Sequence, residues 1–167
     1  MNKTLYHIIL FFSLILLQAL ILNNILLFGY VNPYLYIVFI FLFPLRKNRF
    51  PFLTYAFLLG LFVDFFSDSG GIHTLATLTI AYLRPYFFRV AFQKTESDYE
   101  FFKLDQENFG KIFNYIVSLT LIHHFILFSF INFSFQNFSK VIVNTLLSGI
   151  FTLLLYFLGT FIFRRKI

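Results

Sequence analysis

The chain has 167 residues, 59% of them hydrophobic and 12% charged, with 29 phenylalanines and no cysteine. A soluble domain of this size cannot hide so much apolar surface, so a water-soluble globular protein is excluded and an integral membrane protein is expected. The missing cysteines exclude disulfides and thiolate metal sites. The net charge of +6 comes from Lys and Arg gathered between apolar runs, a positive-inside pattern and not a nucleic-acid patch.

In chain order, Leu5 to Leu22 is an apolar run long enough to span a bilayer. Met1-Asn2-Lys3-Thr4 ahead of it resembles the start of a signal peptide. Leu20 to Ile25 offers no small-residue cleavage site, so an uncleaved first span is expected. Asn23-Asn24 interrupts the run, and Gly29-Tyr30-Val31-Asn32-Pro33 reads as a turn into a second span, 31–45. Its apolar part, Tyr34 to Leu45, would be a helix of only about 18 Å. It crosses poorly unless 23–33 also enters the membrane, as a re-entrant piece shielded by neighbouring helices. Arg46-Lys47-Asn48-Arg49 forms a basic loop, and Pro51 opens a third span, 51–66. A fourth, 72–88, carries Arg84-Pro85 near its end. The stretch from Gln93 to Lys111, acidic over 95–107, reads as a loop or interfacial helix whose Phe101, Phe102 and Phe109 dip into the membrane interface. A fifth span, 112–131, and a sixth, 141–163, flank a loop from Asn132 to Lys140. The whole of 1–167 is thus one transmembrane domain.

Six spans place both termini on one side. Lys3, Arg46, Lys47, Arg49, Arg84, Arg89, Lys94, Lys103, Lys111, Arg164, Arg165 and Lys166 then share a side, with Lys140 alone opposite. That bias predicts both termini in the cytoplasm and puts Asp64, Asp68 and His73 at the outer face.

Gly60, Asp64 and Asp68, spaced i, i+4 and i+8, share one helical face. An acid in hydrocarbon costs at least about 3 kcal/mol, so Asp64 should face protein or a polar cavity. One reading is a site for a proton, cation or partner at the outer face. The other is helix–helix glue: Gly60 permits close approach, Asp64 accepts hydrogen bonds from the next helix, and Asp68 or Ser69 caps it. His73, Thr77 and Ala81 form a matching stripe on the fourth span. His123-His124 lies at a similar depth, and with Asp64 and His73 would offer zinc donors. Adjacent helical residues diverge by about 100°, so satisfied intramembrane histidines and no metal are expected. Arg84, Pro85 and Arg89 read as snorkelling anchors beside anionic lipid headgroups. Tyr6, Tyr30, Tyr34, Tyr82, Tyr86, Tyr115 and Tyr156 read as an interfacial belt. Zinc-enzyme, nucleophile-elbow and phosphate-loop motifs are absent, so neither enzyme activity nor a cofactor is expected.

These residues carry a family resemblance. Gly60-Leu-Phe-Val-Asp64-Phe-Phe-Ser67, Gly71-Ile-His73-Thr-Leu-Ala76-Thr77 and Leu83-Arg84-Pro85 resemble the rod shape-determining protein MreD, in its Bacteroidetes-type form. Leu22-Asn-Asn-Ile-Leu-Leu-Phe-Gly29-Tyr30 upstream and Ile122-His123-His124 downstream extend it over nearly the whole chain. The resemblance implies a non-enzymatic inner-membrane scaffold of the bacterial cell-elongation (rod) complex, supporting cell shape and lateral peptidoglycan synthesis. The implied partners are an MreC-like bitopic protein, MreB and the RodA–penicillin-binding synthase pair, with a homodimer also compatible. The implied fold is all-α, six transmembrane helices like those of the substrate-binding subunits of energy-coupling-factor transporters. By position, Asp64 is the motif acid and Gly71 the turn glycine. The short second span and the acidic 95–107 loop depart from the common pattern. Phe39/Phe43 and Phe151/Leu155 are candidate lateral faces for the partner's helix. The alternative is a vitamin-like solute-binding subunit of such a transporter, which the near absence of alanine from the first span disfavours.

Overall fold

The computed structural model describes residues 3–25, 31–99, 101–132 and 138–164. The Gly29-Tyr30 turn, the centre of the 132–140 loop and Arg165-Lys166 lie outside them. Among the described residues the chain is all α, with no strand. The helices are α1 (Lys3–Leu20), α2 (Val38–Leu42), α3 (Phe50–Ser67), α4 (Ile72–Phe92), α5 (Phe109–Ile131) and α6 (Phe138–Arg164). Four segments are long and apolar enough to cross a membrane: Leu5–Asn24, Phe50–Ser67, Phe109–Ile131 and Phe138–Ile162. At 21 residues α4 has the length but carries Arg84 and Arg89.

The second segment departs from an ordinary span. Its helical part, a 3-10 turn at Leu35–Ile37 and then α2, is only about 13 Å long against a hydrocarbon core of about 30 Å. Phe43 turns extended (ψ 136) because Pro44 follows it, and a residue before proline is pushed out of the helical region. Residues 31–34 are non-helical and largely buried, and neighbouring side chains meet their backbone. Asn32 N–H donates to Ser148 Oγ (3.3 Å), Tyr34 N–H to Thr152 Oγ1 (2.9 Å), and Gln18 Nε2 donates to the Pro33 carbonyl (3.0 Å). Irregular backbone at membrane depth persists only when protein satisfies it in this way.

Successive helices α3, α4, α5 and α6 pack side by side, and α1 leans on α3. A bond from Asn23 Nδ2 to Ser67 Oγ (2.8 Å) ties the end of α1 to the end of α3, so these two run parallel. The start of α3 and the ends of α2 and α4 therefore share one end of the bundle with the start of α5. Arg46, Lys47, Arg49, Arg84, Arg89, Lys94, Lys103 and Lys111 cluster there; Lys140 stands at the opposite end.

The 93–108 loop folds back under that basic end. Tyr99 and Phe102 pack edge-on against Phe88 (ring centroids 5.3 and 4.6 Å), while Phe101 and Phe109 are exposed. Of the three phenylalanines expected to reach outward, Phe102 therefore turns inward. Arg49–Glu96, which is exposed, and Lys94–Glu107, which is partly buried, are ion pairs that pin the loop; an exposed pair contributes about 0–1 kcal/mol.

The expected tyrosine belt divides. Tyr6, Tyr82 and Tyr86 are exposed, whereas Tyr34, Tyr115 and Tyr156 are buried in the core, each being within reach of a polar or aromatic neighbour inside the bundle. Phe39 is 1% exposed against Phe11 and Phe43 (both centroids 5.4 Å). It is a core residue and offers no lateral docking face.

Candidate functional site

Asp64 lies near the end of α3 and is 5% exposed. Its carboxylate accepts four hydrogen bonds: Oδ1 from Ser69 Oγ (2.5 Å) and the His73 N–H (2.9 Å), Oδ2 from the Thr74 N–H (2.7 Å) and Thr74 Oγ1 (2.5 Å). Gly71 precedes α4 in the left-handed region, at φ 95, so His73 and Thr74 are its second and third residues. Their amides have no partner within the helix. Asp64 thus caps α4 from the neighbouring helix and puts a negative charge at the positive end of its dipole.

The turn that permits this runs through Asp68, Gly70 and Gly71, all at positive φ. Asp68 closes α3 in the left-handed conformation and is exposed. Hence the cap of α4 is Asp64, and neither Asp68 nor the Ser69 hydroxyl takes that place. The hydroxyl instead steadies Asp64. Gly60, one turn earlier, lies against α4: a Cβ there would sit 2.5 Å from Thr74 Cα and 2.8 Å from Thr74 N. Two backbones come this close only where one of them has no side chain.

From α4 the polar contacts continue inward. His73 Nδ1 is 2.9 Å from Tyr36 Oη, which is 2.8 Å from His123 Nε2. One phenolic proton serves both rings, so one imidazole donates to Tyr36 and the other accepts from it. His123 Nδ1 is buried and has no partner among the described residues. An orphaned lone pair is tolerated better than an orphaned N–H, which assigns Nε2–H of His123 as donor and Nδ1 of His73 as acceptor.

His124 points elsewhere. Its Nδ1 donates to the Thr120 carbonyl (2.8 Å), and its Nε2 lies 3.1 Å from Thr152 Oγ1, the atom that receives the Tyr34 N–H. Asp64, His73 and the two adjacent histidines therefore occupy separate places in one polar seam. Tyr36 stands between the rings that zinc would have to share, and among the described residues no three metal-ligating side chains converge.

Arg84 is the second buried charge, 3% exposed, and it does not snorkel. Its Nε donates to Tyr115 Oη (2.8 Å) and its Nη2 to the carbonyls of Phe41 (3.2 Å) and Phe43 (2.6 Å), with the guanidinium 4.9 Å from the Phe52 ring centre. The carbonyls that α2 leaves unpaired where it stops are its acceptors, and that inward reward outweighs reaching for the interface. Pro85 is buried beside it, whereas Arg89 is exposed.

Sequence reasoning missed Gln18, Tyr36, Ser148 and Thr152. Each is a polar side chain inside an apolar run, the same signal that exposes Asp64. Tyrosine, serine and threonine are too common in membrane helices for that signal to stand out.

Compared with models of known families, with curated proteins and with solved structures, the chain matches none.

Proposed function

We propose that this chain is a non-enzymatic scaffold subunit of the MreD type, in a bacterial inner membrane with both termini cytoplasmic. In this reading α4 and the broken second segment join the four apolar helices to make six crossings, as in the substrate-binding subunits of energy-coupling-factor transporters. One observation supports it above others. The residues that carry the resemblance, Gly60, Asp64, Gly71 and His73, are those that build the α3–α4 hairpin. Their chemistry is architectural: the Asp64 carboxylate is engaged by four donors from its own chain, leaving it no lone pair directed at a substrate. The gathering of basic residues at one end supports the orientation.

The partner in this reading is an MreC-like bitopic protein, and through it MreB and the synthase pair. Co-purification from native membranes tests it. The wild-type chain should retain the MreC-like protein, and Asp64→Leu should lose both that protein and cell-shape function. Full complementation by Asp64→Leu would remove the hairpin from the reading. Nanomolar binding of a vitamin, with no such partner retained, would favour the solute-binding alternative.

A further inference from the structure

A narrow cleft at the basic end of the bundle has apolar walls, Pro44, Leu45, Phe52 and Pro85, into which three arginines and one tyrosine reach. Arg46 and Arg49 precede α3, Arg84 reaches in from α4, and Tyr99 comes from the 93–108 loop, with Phe52 and Pro85 beside them. The enclosed space is about 10 Å³, room for one water-sized group. It therefore admits one oxygen of an anion arriving from the end of the bundle, the rest of the anion staying at the mouth.

The local charge is unbalanced. Arg49 is paired with Glu96, but Arg46 and Arg84 have no carboxylate partner among the described residues. The acceptors around Arg84, a phenol and two carbonyls, are neutral, and its Nη1 makes no hydrogen bond among the described residues. They satisfy N–H groups without cancelling a buried positive charge, which stays costly until an anion comes within reach. Burial raises the Tyr99 phenol above its ordinary range, so it remains a protonated donor at neutral pH.

We infer that this cleft binds a phosphate group, the headgroup of an anionic lipid or free phosphate, held by Arg46, Arg84 and Tyr99. The Arg46 guanidinium fork matches phosphate geometry, Arg84 adds its remaining Nη1 donors, and basic pockets at membrane interfaces hold anionic headgroups by such contacts. The inference is independent of the scaffold reading.

Native mass spectrometry of the full-length protein, offered equimolar phosphatidylglycerol and phosphatidylcholine, tests the lipid source. Preferential retention of phosphatidylglycerol is expected, with a loss of roughly fivefold in Arg46→Gln, the effect of one basic side chain at an anionic surface. Arg46 is exposed in a loop, so that variant keeps the fold even if Arg84→Lys, which retains charge but loses the fork, does not. A parallel arm adds millimolar inorganic phosphate to lipid-free protein and follows thermal unfolding. Stabilisation there that Arg46→Gln abolishes, without lipid preference, assigns the site to free phosphate. Equal retention of both lipids with no phosphate effect, or a preference unchanged in Arg46→Gln, would overturn the inference. So would stabilisation by an acidic peptide alone.

Discussion

Gly60 and Asp64 act on the same two residues of α4, one by having no side chain and the other by supplying oxygen. Gly60→Ala would place a methyl 2.5 Å from Thr74 Cα; the helices must separate, and the Asp64 bonds to His73 and Thr74 lengthen with them. A loss of about 1–3 kcal/mol is expected, the usual range for overpacking. Thermal unfolding in detergent measures it, and an unchanged midpoint would mean that the hairpin tolerates the shift. Asp64 was legible in the sequence because a carboxylate in an apolar run demands partners. What those partners are was not legible. Two of the four are backbone amides, which every residue has, and two are hydroxyls; only the left-handed turn at Asp68, Gly70 and Gly71 swings them into place.

At the scale of elements, the second segment is the least regular and the most shared. Tyr36 touches α4 and α5 through His73 and His123, Tyr34 touches α6 through Thr152, and the end of α2 feeds its carbonyls to Arg84. Tyr36→Phe keeps the ring and removes the bridge, leaving two buried imidazole nitrogens unmet. A cost of about 1–3 kcal/mol is expected. Histidine nitrogen resonances by NMR add a readout that packing alone would not move: both His73 and His123 should shift while His124 stays. The short length of this segment was legible from its apolar count, but its helix was expected to reach Leu45 and stops at Leu42, because Pro44 forces Phe43 out of the helical region. The burial of Arg84 was not legible, because two of its three acceptors are carbonyls left free only where α2 ends early.

For the molecule as a whole, the charge asymmetry gives a test of orientation that the cysteine-free sequence makes simple. Lys47→Cys and Lys140→Cys each introduce a single thiol at opposite ends of the bundle. In intact cells a membrane-impermeant maleimide should label Lys140→Cys and spare Lys47→Cys until the membrane is opened. Labelling of both, or the reverse order, would contradict a cytoplasmic basic end. That several runs are apolar enough to cross a membrane was legible because it depends on composition alone, and four such segments stand among the described residues. Which tyrosines line the surface and which fill the core was not, since both places suit an amphipathic ring.

The seat of residues 31–34 is made partly by the last helix. Ser148 and Thr152 receive the Asn32 and Tyr34 amides, yet they are synthesised more than a hundred positions later. A ribosome delivers the second segment long before that seat exists, so its extended backbone cannot reach its final place in order of appearance. The second segment is therefore expected to settle only once α6 is in place, with α6 as its latch.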